Sequence, residues 1–348
     1  MAAMERPTPR NRLAALAQAS TVGAALLLGG GLLSGCAGRQ QPMGPAVVAP
    51  SLDEHALTAA DGYALPIRSW LPEIVPPRAV ILALHGFNDY SNAFDGAGRR
   101  WAAQGIATYA YDQRGFGASA DTGVWPGTST LVADLKTAVA QLLRRHPDRP
   151  LFLLGESMGG AVALTALTDE TTPLAVDGAI LVAPAVWGRD SMGFVPRAAL
   201  WLSNAVVPGM VVHPPRDLGI EPSDNLPMLR ALGRDPLVIK GARIDALAGL
   251  TDLMDKALAA CRRLDAPALV LYGAHEQVLP PRPVERALAA FEASGRHVVA
   301  VYPDGYHMLL RDRQGNVVID DVAGWIGDPK KSLLSGAERH PRKLLAAQ

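Results

Sequence analysis

LFLLGESMGGAVAL, residues 151–164, is the stretch whose reading decides the fold. A buried strand leads into Gly155-Glu156-Ser157-Met158-Gly159-Gly160, and a helix of small and apolar residues follows. This is G-x-S-x-G in the strand–turn–helix setting that gives the motif its meaning. So sharp a turn forces Ser157 into strained backbone angles, and the residues two before and two after it must lack side chains. Gly155 and Gly159 meet that demand, while Gly160 and Ala161 let the helix lie close to the sheet. The outcome is a hydroxyl held at a strand tip with a helix N-terminus behind it. A serine hydroxyl is a weak nucleophile until a base takes its proton. The oxyanion formed in acyl transfer also needs donors, and the N–H of Met158, directly after the serine, is one.

Working outward, short and nearly continuous apolar runs alternate with helical patterns. The runs are AVILAL (79–84), IATYAY (106–111), LFLL (151–154), GAILVA (178–183), PALVLY (267–272) and HVVAVY (297–302). Such runs suit strands buried on both faces. Before them EHALTA (54–59) and ALPIRSW (64–70) flank the turn pair Asp61-Gly62. Helices are expected around 91–104, 128–146, 158–169, 281–294 and 317–327. The order predicts an α/β fold over residues 52–327: an eight-stranded, mostly parallel sheet with helices on both faces. More than eighty residues separate the runs 178–183 and 267–272. This insert, about 185–260, would sit over the carboxyl ends of the strands as a lid. Its Trp187, Met192, Phe194, Trp201, Val206 and Met210 suggest that an acyl chain enters beneath it, or they pack the lid onto the helices below.

The bulk composition excludes several classes. With 33 Lys+Arg against 33 Asp+Glu the formal charge is zero, so nothing favours nucleic acid as a partner. A chain that is 49% hydrophobic and 19% charged is globular rather than disordered. Its two cysteines, Cys36 and Cys261, make neither a disulfide framework nor a zinc site. Cys261 reads as a structural residue at a helix end. No metal-ligand cluster or phosphate loop occurs, so no metal or organic cofactor is called for. No oligomeric state can be read.

The N-terminus reads as an address. Arg6, Arg10 and Arg12 precede an Ala/Leu/Gly stretch running to Leu33, the layout of a secretory signal over residues 1–35. A single membrane span over 13–33 is the alternative, but Gln18, Ser20, Thr21 and four glycines suit it poorly. Leu33-Ser34-Gly35-Cys36 resembles the lipobox of bacterial lipoproteins. That resemblance implies cleavage before Cys36, its lipidation, and attachment to a membrane of the bacterial cell envelope. Ala37 rather than Asp after the cysteine implies the outer membrane, facing the periplasm. Residues 36–51, rich in Pro and Gly, read as a flexible tether, and 328–348 as a loosely held basic tail.

HGFNDYSN (85–92), YDQRGFGAS (111–119), GESMGG and YHMLL (306–310) together resemble the α/β-hydrolase superfamily. Within it they are most similar to the monoacylglycerol lipase and lysophospholipase group. DQRGFG is also similar to proline iminopeptidases. His85-Gly86 resembles the element that opens the oxyanion loop, which implies the N–H of Phe87 as second donor. His85, Asp112 and Arg114 are expected to brace loops. The family order of nucleophile, acid, histidine implies His307, on the loop after the last strand, as the base. The acid should follow the run 267–272. Aligning Gly273-Ala274-His275-Glu276 with the family's G-x-x-D implies Glu276, a glutamate where aspartate is usual; should it point elsewhere, the acid is unassigned.

The resemblance thus implies a serine esterase acting on a lipid ester, monoacylglycerol or lysophospholipid, through an acyl-enzyme. A general carboxylesterase or a proline iminopeptidase-like peptidase on the same residues is the alternative. A lipid-binding lipoprotein that has lost activity is the alternative from another class.

Overall fold

A computed structural model describes residues 38–214 and 219–339. The signal segment, Cys36 and the tail beyond residue 339 lie outside the described residues. Along the first half run β1 (Ser51–Leu52), β2 (Ala56–Thr58), β3 (Ala64–Trp70), β4 (Ala79–Leu84), α1 (Asp95–Ala103), β5 (Ile106–Tyr111), α2 (Thr128–Arg145), β6 (Leu151–Glu156), α3 (Met158–Leu167) and β7 (Gly178–Val182). The insert follows, with α4 (Phe194–Val206), β8 (Val211–Val212), α5 (Leu226–Arg234), β9 (Ala242–Arg243) and α6 (Ile244–Ala260). β10 (Ala268–Gly273), α7 (Pro281–Ala293), β11 (His297–Tyr302) and α8 (Gly315–Gly327) complete the fold.

Among the described residues the main sheet has nine strands in the order β1-β2-β3-β5-β4-β6-β7-β10-β11. The pairings β1–β2, β2–β3 and β3–β5 form an antiparallel edge, and every pairing from β5 to β11 is parallel. The ninth strand, beyond the eight expected, is β1. It forms because Asp53 Oδ1 accepts from the N–H groups of His55 and Ala56, at 2.7 and 2.8 Å, and so turns the chain back onto β2. β4, β5, β6, β7 and β10 are buried at every position, as strands covered on both faces must be. Side chains alternate between two cores. Val80, Leu82 and Leu84 join Leu135 of α2, Val162 of α3 and Phe291 of α7 on one face. Ile81 and Ala83 join Trp101 of α1 and Trp325 of α8 on the other.

Three segments differ from expectation. The stretch expected to be a flexible tether is held against the body from residue 38 onward. Gln41 donates from its N–H to Trp125 O and from Nε2 to Val124 O, Met43 N–H donates to Thr130 Oγ1, and Val47 N–H donates to Ala60 O. The tail is docked as far as residue 339, with Leu333 and Ala337 buried in the second core and Ser335 N–H donating to Asp321 at 3.0 Å. The last helix of the insert, α6, belongs to the body, since its Leu253, Ala257 and Ala260 are buried in the same core as α3. By contrast α4 and α5 bury no residue fully.

Arg114 braces the edge of the sheet as expected. Its guanidinium is buried between Asp61 of the first hairpin and Asp134 of α2, with four contacts of 2.7–3.0 Å, and lies 4.1 Å above the Tyr63 ring. Removing one partner of such a buried pair typically costs about 3–5 kcal/mol.

The close approach of α3 to the sheet rests on glycine. A Cβ on Gly159 would lie 2.1 Å from Leu84 O, and one on Gly155 would lie 2.5 Å from the carbonyl of Gly159. Neither obstacle is a flexible side chain. Gly159→Ala is therefore expected to destabilise the fold by about 3 kcal/mol or more, read as a lower urea midpoint.

Candidate active site

Ser157 sits at the hinge between β6 and α3 with φ 53° and ψ −115°. A non-glycine residue pays about 1–3 kcal/mol to stay in such a region. Ser157 N–H donates to Val182 O and Ser157 O accepts from Ala185 N–H, both at 2.9 Å, so the tip of β7 pins the turn from both sides. The loop after β4 passes directly over the hydroxyl: a Cβ on Gly86 would lie 3.9 Å from Ser157 Oγ.

Met158 is the first residue of α3, so its N–H has no acceptor within the helix. Met158, Gly86 and Phe87 line one cavity with Ser157. His85, fully buried, holds that loop in place. Its Nδ1 lies 2.9 Å from Gly86 O and its Nε2 accepts from Gln113 N–H at 3.0 Å, which places the ring hydrogen on Nδ1. Burial pushes the His85 pKa below the ordinary histidine value, which suits a neutral brace. Asp112 accepts from the N–H groups of Ser91 and Ala118, at 2.9 and 2.8 Å, and shapes the same loop.

His307 and Glu276 meet across the ends of β10 and β11. Those strands pair in parallel from Ala268 with His297 to Gly273 with Tyr302, so their outgoing loops lie side by side. Gly273 allows the contact, because a Cβ there would lie 2.2 Å from the Gly305 carbonyl. Glu276 Oε2 then lies 2.7 Å from His307 Nδ1. Oε1 accepts from the N–H groups of Val278 and Leu279, at 2.8 and 3.0 Å. Both side chains are buried. Burial opposes the charge on Glu276, but His307 and the two backbone donors outweigh it and hold its pKa below the usual carboxylate value. Burial likewise works against a charged His307, and the Glu276 carboxylate overcomes it, raising the pKa above the ordinary histidine value. With the carboxylate accepting at Nδ1, that nitrogen carries the hydrogen and Nε2 is the basic one. His275 turns elsewhere and stacks on Tyr306, ring centroids 5.0 Å apart.

Two features escaped the sequence reading. The first is Arg311, buried between Asp89 at 2.7 Å and Glu156 at 2.9 Å. Burial alone would lower its pKa, but Glu156 and Asp89 outweigh that and keep it charged. The cluster ties together the loop after β4, the residue before the serine and the histidine loop. Its signal was a charged residue at x of G-x-S and an Arg-Asp pair closing YHMLLRD. The second is a strap of the insert, residues 221–225, across both outgoing loops. Glu221 N–H donates to Gln277 Oε1, Met308 N–H to Pro222 O, and Asn225 Nδ2 to Arg311 O, at 2.9–3.0 Å. Ser223 Oγ donates at 2.6 Å to Asp312, which also accepts from Tyr306 N–H. Burial pushes the Asp312 carboxyl up to about 6.

A cavity of about 730 Å³ ends at Ser157 and His307. Its walls come from the insert (Met192, Pro196, Leu200, Ile220), from α6 (Leu247, Leu250, Met254) and from the acid loop (Val278, Leu279), and are largely apolar. The volume lies within the roughly 300–1,000 Å³ usual for small-molecule sites. A serine, a histidine–carboxylate pair and free backbone N–H groups at the end of such a cavity are the parts that acyl transfer requires.

The chain is similar to known proteins over most of its length. Residues 75–314 match the family described as "Serine aminopeptidase, S33". The monoacylglycerol lipase of Mycolicibacterium smegmatis is 30% identical over 295 residues, covering 80% of this chain and 99% of that one. The human monoglyceride lipase is 25% identical over 282 residues, covering 80% and 91%. Among solved structures, a soluble variant of the Saccharomyces cerevisiae monoglyceride lipase superposes with a TM-score of 0.67 at 19% identity, over 81% of this chain and 94% of that one. A carboxyl esterase from Bacillus coagulans gives 0.66 at 19%, over 81% and 99%. With the family match spanning most of the described residues, the chain belongs to this serine hydrolase family and has the α/β-hydrolase fold.

Proposed function

We propose that the protein hydrolyses carboxylic esters of single-chain lipids, monoacylglycerols or lysophospholipids, through an acyl-enzyme. The observation that carries this reading is the apolar cavity ending at Ser157 beside the His307–Glu276 pair. Ser157 Oγ attacks the ester carbonyl while His307 Nε2 takes its proton. Charge collects on the former carbonyl oxygen, where the N–H groups of Met158 and Phe87 receive it; each such donor is worth about 10²–10³ in rate. The tetrahedral intermediate collapses, the C–O bond to the alcohol breaks, and His307 returns the proton to the departing alkoxide. Water then repeats the sequence on the acyl-enzyme, releasing the fatty acid and regenerating Ser157. Glu276 holds the imidazole in the needed tautomer and stabilises its charged form.

The family description names a peptidase, which makes amide hydrolysis the second reading. An aminopeptidase needs a carboxylate to receive the substrate's ammonium group. The cavity's two carboxylates, Asp89 and Glu156, are each ion-paired to Arg311, and the remaining walls are largely apolar. That supports the ester. The names of the relatives, monoacylglycerol and monoglyceride lipases, support the same substrate class.

The test is turnover of p-nitrophenyl butyrate, 1-monooleoylglycerol, lysophosphatidylcholine and a proline amide by the chain from residue 38 onward. The oleoyl ester is expected to give the highest kcat/KM and the proline amide the lowest. A preference for the amide would overturn the proposal. We propose too that Cys36 is lipidated and holds the enzyme to an envelope membrane, the outer one by the Ala37 criterion. Release of fatty acid, with a matching fall in the protein's intact mass, after mild alkaline cleavage of the acyl esters would show the modification, and its absence in Cys36→Ala would place it.

A further inference from the structure

The ladder between β4 and β6 closes with Leu84 opposite Gly155. Phe87 and Met158, the two proposed oxyanion donors, both lie past that last pair, so the sheet leaves their separation open. The turn that carries Phe87 has a settled shape. Asp89 N–H donates to Gly86 O at 3.3 Å, Asn88 takes a left-handed φ of 65° that asparagine tolerates, and Asn88 O accepts from Ile239 N–H at 3.0 Å. What remains is the distance of this turn from the elbow.

The Arg311 guanidinium spans that gap. Nη1 lies 2.7 Å from Asp89 Oδ2, on the residue two after Phe87, and Nη2 lies 2.9 Å from Glu156 Oε1, on the residue two before Met158. A guanidinium is a planar fork whose donors keep their spacing, which a flexible ammonium does not. The fork is itself held. Arg311 N–H donates to Met308 O at 2.8 Å, and Arg311 O accepts from Asn225 Nδ2 at 2.9 Å. Asp89 Oδ1 accepts from Tyr90 N–H at 2.9 Å, so that carboxylate is fixed to its own turn. The Arg311 side chain is 13% exposed and those of Asp89 and Glu156 are 8 and 2% exposed, so solvent screens these charges little.

We propose that Arg311 is a positioning residue of the oxyanion site: by holding Asp89 and Glu156 on one rigid fork, it sets the distance between the Phe87 and Met158 N–H groups. The proposal rests on the acyl-transfer reading above and deepens it. An oxyanion accepts from both donors at once only where they converge on one point, and a misplacement of about 1 Å costs on the order of 10² in rate. The ground-state carbonyl asks less of the pair, so the loss falls on kcat rather than on KM.

Asp89→Ala and Glu156→Ala each cut one arm of the fork and leave the other ion pair in place. Each is expected to lower kcat on p-nitrophenyl butyrate about 10²-fold, with KM within about threefold of wild type. Affinity for a trifluoromethyl ketone should fall by the same factor. There the bond from Ser157 Oγ to the carbonyl carbon forms, the C=O pair moves to oxygen, and the proton goes to His307, which leaves an oxyanion at the donors. Glu156→Gln keeps an oxygen for Nη2 and should hold kcat within about fivefold of wild type. Arg311→Met removes both arms, so it and its double variant with Asp89→Ala should be equally slow. Should Arg311→Met show no unfolding transition, the contrast between Glu156→Ala and Glu156→Gln decides. Losses that multiply in the double variant, Glu156→Gln as slow as Glu156→Ala, or a rise in KM in place of the fall in kcat would each overturn the proposal. An unchanged ketone affinity beside a lowered kcat overturns it too, since the fault would then lie away from the oxyanion. Wild type inert towards the butyrate overturns the esterase reading instead. The rate of fluorophosphonate labelling then reads the positioning by itself: a fall of about 10²-fold in both alanine variants upholds it, and an unchanged rate overturns it.

Discussion

Ser157→Ala is expected to lower ester turnover on the order of 10⁴- to 10⁶-fold and to abolish labelling by a fluorophosphonate probe that marks the wild type. The nucleophile is the one group for which the site offers no substitute, because the remaining parts only position and polarise. Equal labelling of both proteins would remove Ser157 from the mechanism. No labelling of wild type would favour the inactive lipid-binding reading. The backbone supplies an internal control. Alanine keeps the strained φ of 53°, so Ser157→Ala should unfold in the same denaturant range as wild type. Ser157→Gly, free of a Cβ, should be more stable by about 1 kcal/mol and equally inactive.

Glu276→Gln is expected to cost about 10⁴ in kcat, since an amide can donate to Nδ1 and so stabilise the wrong tautomer. A loss within threefold would take Glu276 out of the mechanism. The pH profile gives a second readout. The base works only when neutral, so activity falls as pH drops through the His307 pKa, which the carboxylate holds above the ordinary histidine value. The acid limb of kcat/KM in wild type should therefore have its midpoint above about 6.5. Without the carboxylate, the burial that pushes that pKa down loses its main opponent, so the limb of the residual activity should move to lower pH. Glu276→Asp retains charge but retracts the carboxylate by one methylene. A loss of about 10²-fold is expected from so small a misplacement, because Oε1 and Oε2 already serve separate partners.

These expectations show how unevenly the molecule could be read. Buried parallel strands announce themselves as apolar runs, and Gly155, Ser157 and Gly159 announce the elbow, because each constraint acts within a few residues. Glu276 was legible only through resemblance. Composition alone offers His275 and Glu276 equally, and what separates them is the turn in which Val278 and Leu279 donate to Oε1. The segment from residue 38 was misread for a related reason. Its prolines and glycines report the chain's freedom when alone, whereas Trp125, Thr130 and Asp245 decide its place from more than eighty residues away. Arg311 was missed because a buried arginine is sensible only beside its two carboxylates, which the sequence places far apart.

The strap at 221–225 has a consequence for how such enzymes diversify. Insert and catalytic loops are usually thought of as separable, one choosing the substrate and the other performing the chemistry. Here Glu221, Pro222, Ser223 and Asn225 are bonded to Gln277, Met308, Asp312 and Arg311. A chimera that imports a foreign insert but breaks those pairs would lose loop registration along with selectivity. Recombination that respects this protein's logic must place its crossover before residue 221, leaving the strap with the loops that carry Glu276 and His307.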